Sequence, residues 1–516
     1  LVALVLYQGG LVLRFGRILR ALYWISDLAF MPLLAEDLAS FTDPGKVNMG
    51  NTPYFNVLWW LMATKHLPFH RAIWAAGPYL LSAATVVLIA LGARKVSGTW
   101  AGGLTLILGL GASWPVLMTT LPPGSRVSTW FANAVMAGLL MHLIGRDSFE
   151  IKKALPVTVA AIAVAAATAG SDPLFYVSGL GPFVLAVGLA VFLHPEVRRD
   201  SRALVAASAV AVSLLAGAVA SRWMNGLGYR ANGPAFIFAS MDEVLDNSRS
   251  FMDSMLAMAN GQFQGRLLGP GALAVLASAV AAFVALVVCG RLVFHVLSGR
   301  VRDANPAFTA WVCFWGVSML GVSASLVLTK VAVGAGLAST RYLIPVFYAV
   351  VALIGVWASA KTTRQWLAAG AAALFIFLGW RSQTRFYLPL DRTPIVARGP
   401  DIVRFLESRN VRRGYAGYWT AHSFTWNSRL LVKAYPINAC ALGQQTGYCP
   451  FPLAVRDRWY TPRNGPSFLL LDPDAPLPLG PEGADALGKP TVTKRFDRIT
   501  VLLYDHDIAA DFSRNP

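Results

Sequence analysis

Apolar runs of about 20 residues, separated by short polar connections, recur from the start of the chain to residue 381. They fall near residues 1 to 20, 70 to 93, 99 to 119, 128 to 145, 154 to 170, 174 to 194, 203 to 222, 268 to 294, 307 to 333, 341 to 360 and 365 to 381. As a helix, a run of that length spans the roughly 30 Å of bilayer hydrocarbon and pairs its own backbone groups, which nothing else in the membrane can do. The pattern predicts about eleven membrane-spanning helices over residues 1–381, with two long external loops, 21–69 and 223–267. Beyond residue 381 the period changes. FLESRN reads as helix, while LLVKAYPI, SFLLLDP and RITVLLYD read as strands between Gly and Pro turns. Residues 382–516 are therefore expected to form one compact α/β domain.

Charge orients this bundle. Basic clusters stand at Arg94 and Lys95, at Arg146, Lys152 and Lys153, at Arg198, Arg199 and Arg202, at Arg300 and Arg302, and at Lys361 and Arg364. These are every second connection, and the positive-inside rule assigns them to the cytoplasmic side. Loops 21–69 and 223–267, the turns near 120, 170 and 340, and the C-terminal domain are then expected outside. The net charge of +18 is read as this orientation signal and not as a nucleic-acid surface, because 56% of the residues are hydrophobic and only 14% charged. The run before Arg14, Arg17 and Arg20 is short for a span, so further N-terminal sequence is expected, with a cleaved signal peptide as the other reading. Cys289 and Cys313 fall in spans, whereas Cys440 and Cys449 fall in the external domain, where a disulfide closing CALGQQTGYC is expected. Frequent Ala, Arg and Gly point to a bacterial inner membrane with the external side facing the periplasm.

Candidate chemistry gathers on the external side. Asp27, in YWISDLAFMPLLAEDL, is an ionisable group near the end of a span, and Glu36, Asp37 and Asp43 follow in the same loop. A carboxylate there can take a proton from an acceptor hydroxyl, against the plain reading of a solvated helix end. Asp172, in AGSDPLF, reads either as a turn residue or as a second acid for substrate hydroxyls or a metal. Arg126, Lys330 and Arg341 are cations at the level of the external helix ends, suited to an anionic leaving group or to lipid head groups. Arg230 and Arg249 are weaker candidates. His66 and His70 have a helical spacing that Pro68 interrupts, which argues against a shared metal. Tyr23, Trp24, Tyr54, Trp59, Trp60 and Trp74 make an interfacial belt or a sugar-stacking surface. No phosphate-binding loop, dinucleotide fingerprint, zinc-protease or nucleophile-elbow motif occurs, so soluble nucleotide chemistry has no support.

With SDLAFMPLLAEDL in its first external loop, the chain resembles the GT-C superfamily of polyprenyl-phosphate-sugar-dependent glycosyltransferases, which includes protein mannosyltransferases and the aminoarabinose transferase of lipid A. GYAGYWTAHSFTW, residues 414–426, is similar to a motif of bacterial members related to family 39. The resemblance implies inverting transfer of a sugar from a polyprenyl-phosphate donor to an extracytoplasmic hydroxyl on a glycan, lipid or protein. Asp27 inherits the general-base role by its place, with Glu36 and Asp37 as alternatives because they stand about two helical turns later instead of beside it. Arg341, Arg126 and Lys330 would hold the phosphate. No cofactor is implied, and a divalent metal stays open, since Arg and Lys can supply the positive charge. Two other classes compete: a transporter or flippase of lipid-linked saccharides, disfavoured by the lack of a clear repeat and by acids at the external ends, and a non-catalytic envelope scaffold.

Overall fold

The computed structural model describes residues 4, 7–12, 26–40, 42–50, 52–120, 126–145, 149–198, 201–231, 237–262, 270–300, 305–332, 339–390, 394–442, 445–475 and 478–512. Among these, eight helices are long and apolar enough to cross a membrane: His70–Ser97, Val127–Ile144, Ile151–Ala169, Tyr176–Leu193, Arg202–Gly226, Gly271–Leu297, Pro306–Leu328 and Thr340–Ser359. Three predicted runs fall outside that set. The run 99–119 is broken into Thr99–Leu110 and Trp114–Thr120, with Pro115 in the first turn of the second helix, where its missing N–H leaves no intrahelical bond unmade. The run 365–381 lies in the helix Thr362–Leu390, and the first run is described only at residues 4 and 7–12.

The helices pack through small residues where a side chain would collide. A Cβ on Gly170 would stand 2.6 Å from the Gly217 carbonyl oxygen, which brings Ile151–Ala169 against Arg202–Gly226. A Cβ on Gly92 would meet the Trp311 ring at 2.4 Å. Gly98 turns His70–Ser97 back into Thr99–Leu110 with φ +85°, a region that other residues rarely adopt. Trp130, Trp311 and Trp315 are buried in the bundle, whereas Leu215, Leu273 and Phe283 point outward, as helices solvated by lipid require.

The C-terminal domain is an α/β layer built on a six-stranded sheet. Its strands are β3 (Arg413–Gly417), β4 (Lys433–Leu442), β5 (Gln445–Pro450), β7 (Ser467–Leu471), β8 (Val492–Phe496) and β9 (Ile499–Tyr504), in the order β5-β4-β3-β7-β9-β8. β4, β3 and β7 run parallel and the outer strands antiparallel. Alternation along these strands buries Phe468, Leu470, Val501 and Leu503 against Ile402 and Leu406 of the helix Pro394–Ser408. The motif of residues 414–426 is β3 followed by the helix Tyr418–Asn427. Cys440 and Cys449 form the expected disulfide across β4 and β5, with Cα atoms 5.7 Å apart.

A second, three-stranded sheet joins distant parts of the chain. β1 (Val47–Asn48) of the first external loop pairs with β2 (Tyr229–Arg230) of the second and with β6 (Val455–Arg456) of the C-terminal domain. The connections expected outside thus converge on one end of the bundle.

Candidate functional site

Two constellations stand at this end. The first is centred on Arg126, which precedes the helix Val127–Ile144, and on Asp172, in the turn after Ile151–Ala169. Their side chains are 11% and 1% exposed and form an ion pair. Thr129 Oγ1 donates to Asp172 Oδ2 at 2.7 Å, the Leu174 amide donates to Oδ1 at 3.1 Å, and Arg126 Nη2 donates to Thr52 Oγ1 at 2.9 Å. A buried carboxylate and guanidinium held by this many hydrogen bonds are fixed in direction. The first external loop is latched to the same turn, since the Tyr54 and Asn56 amides donate to the Ser171 carbonyl and hydroxyl oxygens at 3.3 and 3.0 Å.

Arg126 and Arg341 both lie against the ring of Tyr342, each guanidinium carbon 5.0 Å from its centroid. An apolar cavity lined by Leu174, Val177, Val322, Leu326 and Val331 opens between the helices and ends at Thr52, Arg126 and Tyr342. Val177 belongs to a π-helical turn, Tyr176–Leu180, a local widening common beside functional sites. Arg341 is exposed, in the first turn of Thr340–Ser359. Lys330, beside Val331, is half-exposed and pairs with Glu243 at 3.2 Å. Two guanidiniums meet at Tyr342 and one carboxylate, Asp172, pairs with Arg126, so the cleft has a net positive mouth beside apolar walls.

The second constellation is the helix Ser26–Asp37. It holds all three candidate acids, and at 1.5 Å per residue it sets Asp27 about 14 Å from Glu36 and Asp37 along its axis, so the acids cannot work as one close pair. The side chain of Asp27, on the first turn, lies outside the described residues. Glu36 Oε1 accepts from His70 Nε2 at 3.0 Å and Arg71 Nε at 3.1 Å. Asp37 accepts from Lys433 Nζ at 3.1 Å, Arg456 Nη1 at 2.9 Å and Trp459 Nε1 at 2.9 Å. Burial raises the pKa of each, but these hydrogen bonds and cations outweigh it and hold both carboxyls below their ordinary values.

His66 is exposed in the turn before His70, which is turned instead toward Glu36, so the two imidazoles are not brought onto one helical face. Arg230 and Arg249 are exposed, Arg249 pairing with Asp246. Among the described residues no group of three or more His, Cys, Asp and Glu is arranged to hold a metal ion. His422, inside the sequence motif, is buried with Nε2 2.9 Å from the Ala454 carbonyl oxygen and has Phe30, Tyr418 and Trp459 around it. Burial pushes its pKa down to about 4.

Sequence reasoning did not find Thr52, Thr129, Lys433, Arg456 or Trp459. No local signal marks them, because each acquires its partner from a segment remote in the chain; Arg456 and Asp37 are 419 residues apart.

No family model and no curated protein matches the chain. Among solved structures, ArnT from Cupriavidus metallidurans bound to undecaprenyl phosphate is similar over 99% of this chain and 99% of its own, with a TM-score of 0.51 and 12% identity. The apo form of the same protein aligns over 98% and 100%, with a TM-score of 0.39 and 12% identity. A likeness of that extent at so low an identity is a likeness of architecture: the chain is a multi-pass helical membrane protein with a GT-C-like fold and an α/β domain at its C-terminus.

Proposed function

We propose that this protein is an integral membrane glycosyltransferase that moves a sugar from a polyprenyl-phosphate donor to an extracytoplasmic acceptor hydroxyl with inversion. The observation that carries the reading is the pair of arginines that meet on Tyr342 beside a small apolar cleft between the helices, a charge arrangement suited to a lipid phosphate. ArnT, with the same fold, has been solved with undecaprenyl phosphate bound, which supports a lipid phosphate as partner. The site would face the periplasm of a bacterial inner membrane, since the basic clusters lie at the opposite helix ends.

In this reading Arg126 and Arg341 hold the phosphate, with Lys330 at the cavity edge. Asp172 and Thr52 keep the Arg126 guanidinium fixed, so that little reorganisation is needed as charge builds on the leaving oxygen. A base on the helix Ser26–Asp37, taken as Asp27, removes the acceptor proton. The acceptor oxygen bonds to the anomeric carbon as the bond from that carbon to the phosphate oxygen breaks, and polyprenyl phosphate leaves as the anion. Asp37, with three donors on its two oxygens, is the least suited of the three acids to accept that proton.

The test is release of polyprenyl phosphate from a panel of polyprenyl-phosphate sugars by purified protein in liposomes, wild type against Asp27→Asn and Arg341→Met. The reading expects release by wild type, loss of at least about a hundredfold with Asp27→Asn, and a raised KM with Arg341→Met. Lipid-linked saccharide crossing the bilayer without release would replace it with a flippase.

A further inference from the structure

Arg456 is an arginine 7% exposed at a junction between domains, and its described side-chain hydrogen bonds all go to the first external loop. Its Nε donates to the Pro44 carbonyl at 2.6 Å, and its Nη1 donates to the Asp37 carbonyl at 3.2 Å and to Asp37 Oδ2 at 2.9 Å. Asp37 is the last residue of the helix Ser26–Asp37, so its carbonyl is one of those the helix leaves unpaired, at the negative end of the helix dipole. Lys433 adds a second cation there at 3.1 Å. Both cations come from the C-terminal domain.

The same domain grips the helix elsewhere. Phe30, one turn after Asp27, packs against the rings of His422 and Trp459 at 5.5 and 6.4 Å. β6 pairs with β1 just beyond the helix, and the Asp457 amide donates to the Lys46 carbonyl at 3.0 Å. A helix with its C-terminal end held by two cations and its side held by an aromatic cluster has its rotation and its axial position fixed by the domain that supplies both.

We propose that the C-terminal domain is a working part of the transferase, and that Arg456 and Asp37 are positioning residues that set the helix Ser26–Asp37, and the acid it carries, against the cation site. The inference rests on the transferase reading for its kinetic part only. A displacement near 1 Å in a reacting group can cost about a hundredfold in rate, so a slack helix would lower turnover without weakening the grip of Arg126 and Arg341 on the donor.

The experiment uses the full chain in liposomes, with Arg456→Met, Arg456→Lys and Lys433→Met. Amide hydrogen exchange over residues 29–38 reads the clamp, and kcat and KM for the polyprenyl-phosphate sugar read its consequence. Quantifying free thiols verifies that Cys440 and Cys449 remain joined, with Cys289 and Cys313 as the free pair, and circular dichroism verifies that the chain stays folded. Arg456→Met is expected to speed exchange at least about tenfold and to lower kcat by about ten- to a hundredfold, with KM for the donor within about twofold. Arg456→Lys should recover part of kcat, and Lys433→Met should show a smaller loss of the same kind. Faster exchange with unchanged kcat, or unchanged exchange in Arg456→Met, overturns the proposal. If Arg456→Met loses the disulfide, Lys433→Met decides, and wild-type values in both readouts overturn it. Wild type inactive on every donor would remove the transferase reading and with it the kinetic role proposed here, the exchange result then speaking to the clamp alone.

Discussion

Asp172 is the residue whose removal should be felt most directly. It is 1% exposed and neutralises Arg126, which is 11% exposed, so Asp172→Ala leaves a buried guanidinium with no carboxylate. Breaking a buried pair from one side costs about 3 to 5 kcal/mol. Asp172→Ala is therefore expected to lower thermal stability in detergent markedly, whereas Arg341→Met, at an exposed position, should leave the melting temperature near wild type while raising KM for a lipid phosphate. His422 gives a second residue-scale expectation. The unfolded chain binds a proton at this imidazole near 6.5 and the folded chain only near 4, so its contribution is complete above pH 6.5 and declines as the pH falls from there to about 4. The loss over that window is about 3 kcal/mol. Denaturant unfolding of the wild type should weaken across it, and His422→Gln should flatten the profile. Glu36 and Asp37 act at lower pH: both pKa values are depressed, so their contribution holds at neutral pH and is lost as the pH falls below the ordinary carboxylate range.

At the scale of elements, two contacts set what the fold tolerates. Ile151–Ala169 and Arg202–Gly226 touch at Gly170 and Gly217, where an added Cβ meets backbone oxygen at 2.6 and 3.0 Å. Backbone cannot yield as a flexible side chain can, so Gly217→Leu should separate the two helices and reduce the yield of folded protein, measurable by size-exclusion chromatography in detergent. The β4–β5 hairpin carries the Cys440–Cys449 bridge over a sequence separation of 9. A loop that short gives about 2 to 3 kcal/mol by chain entropy, and the effect should be confined to the C-terminal domain: hydrogen exchange of β4 and β5 is expected to rise in Cys440→Ser/Cys449→Ser while the bundle helices keep wild-type rates.

For the whole molecule the prediction is one of sidedness. The disulfide, the acidic helix and the cation site lie at one end of the bundle, and Arg94, Lys95, Lys361 and Arg364 belong to the connections at the other. After mild reduction in right-side-out vesicles, Cys440 and Cys449 should react with a membrane-impermeant maleimide; protection until the vesicles are opened would reverse the assigned orientation. The three-stranded sheet of β1, β2 and β6 makes both external loops and the C-terminal domain one assembly at this end, so cleavage of the chain near residue 393 should not release the domain without denaturant.

The hydrophobic pattern by itself determined the helical membrane bundle and the α/β character of the last segment, and the placement of Cys440 and Cys449 close together beyond the apolar runs pointed to their pairing. These follow from transfer of apolar side chains out of water and from short-range strand and turn chemistry, which a local window of sequence contains. It read the run 99–119 as one span because hydropathy does not register the break between Leu110 and Trp114. What tertiary structure alone decided was pairing. Along the chain Asp27 ranks first among the acids of its loop, with nothing to separate Glu36 from Asp37; folding places Glu36 on His70 and Arg71 and Asp37 on Lys433, Arg456 and Trp459. Arg126, Arg341 and Tyr342 become a single site only when two helix ends meet. An ion pair depends on distance in space, and spatial neighbours separated by hundreds of residues leave no periodic trace in the sequence.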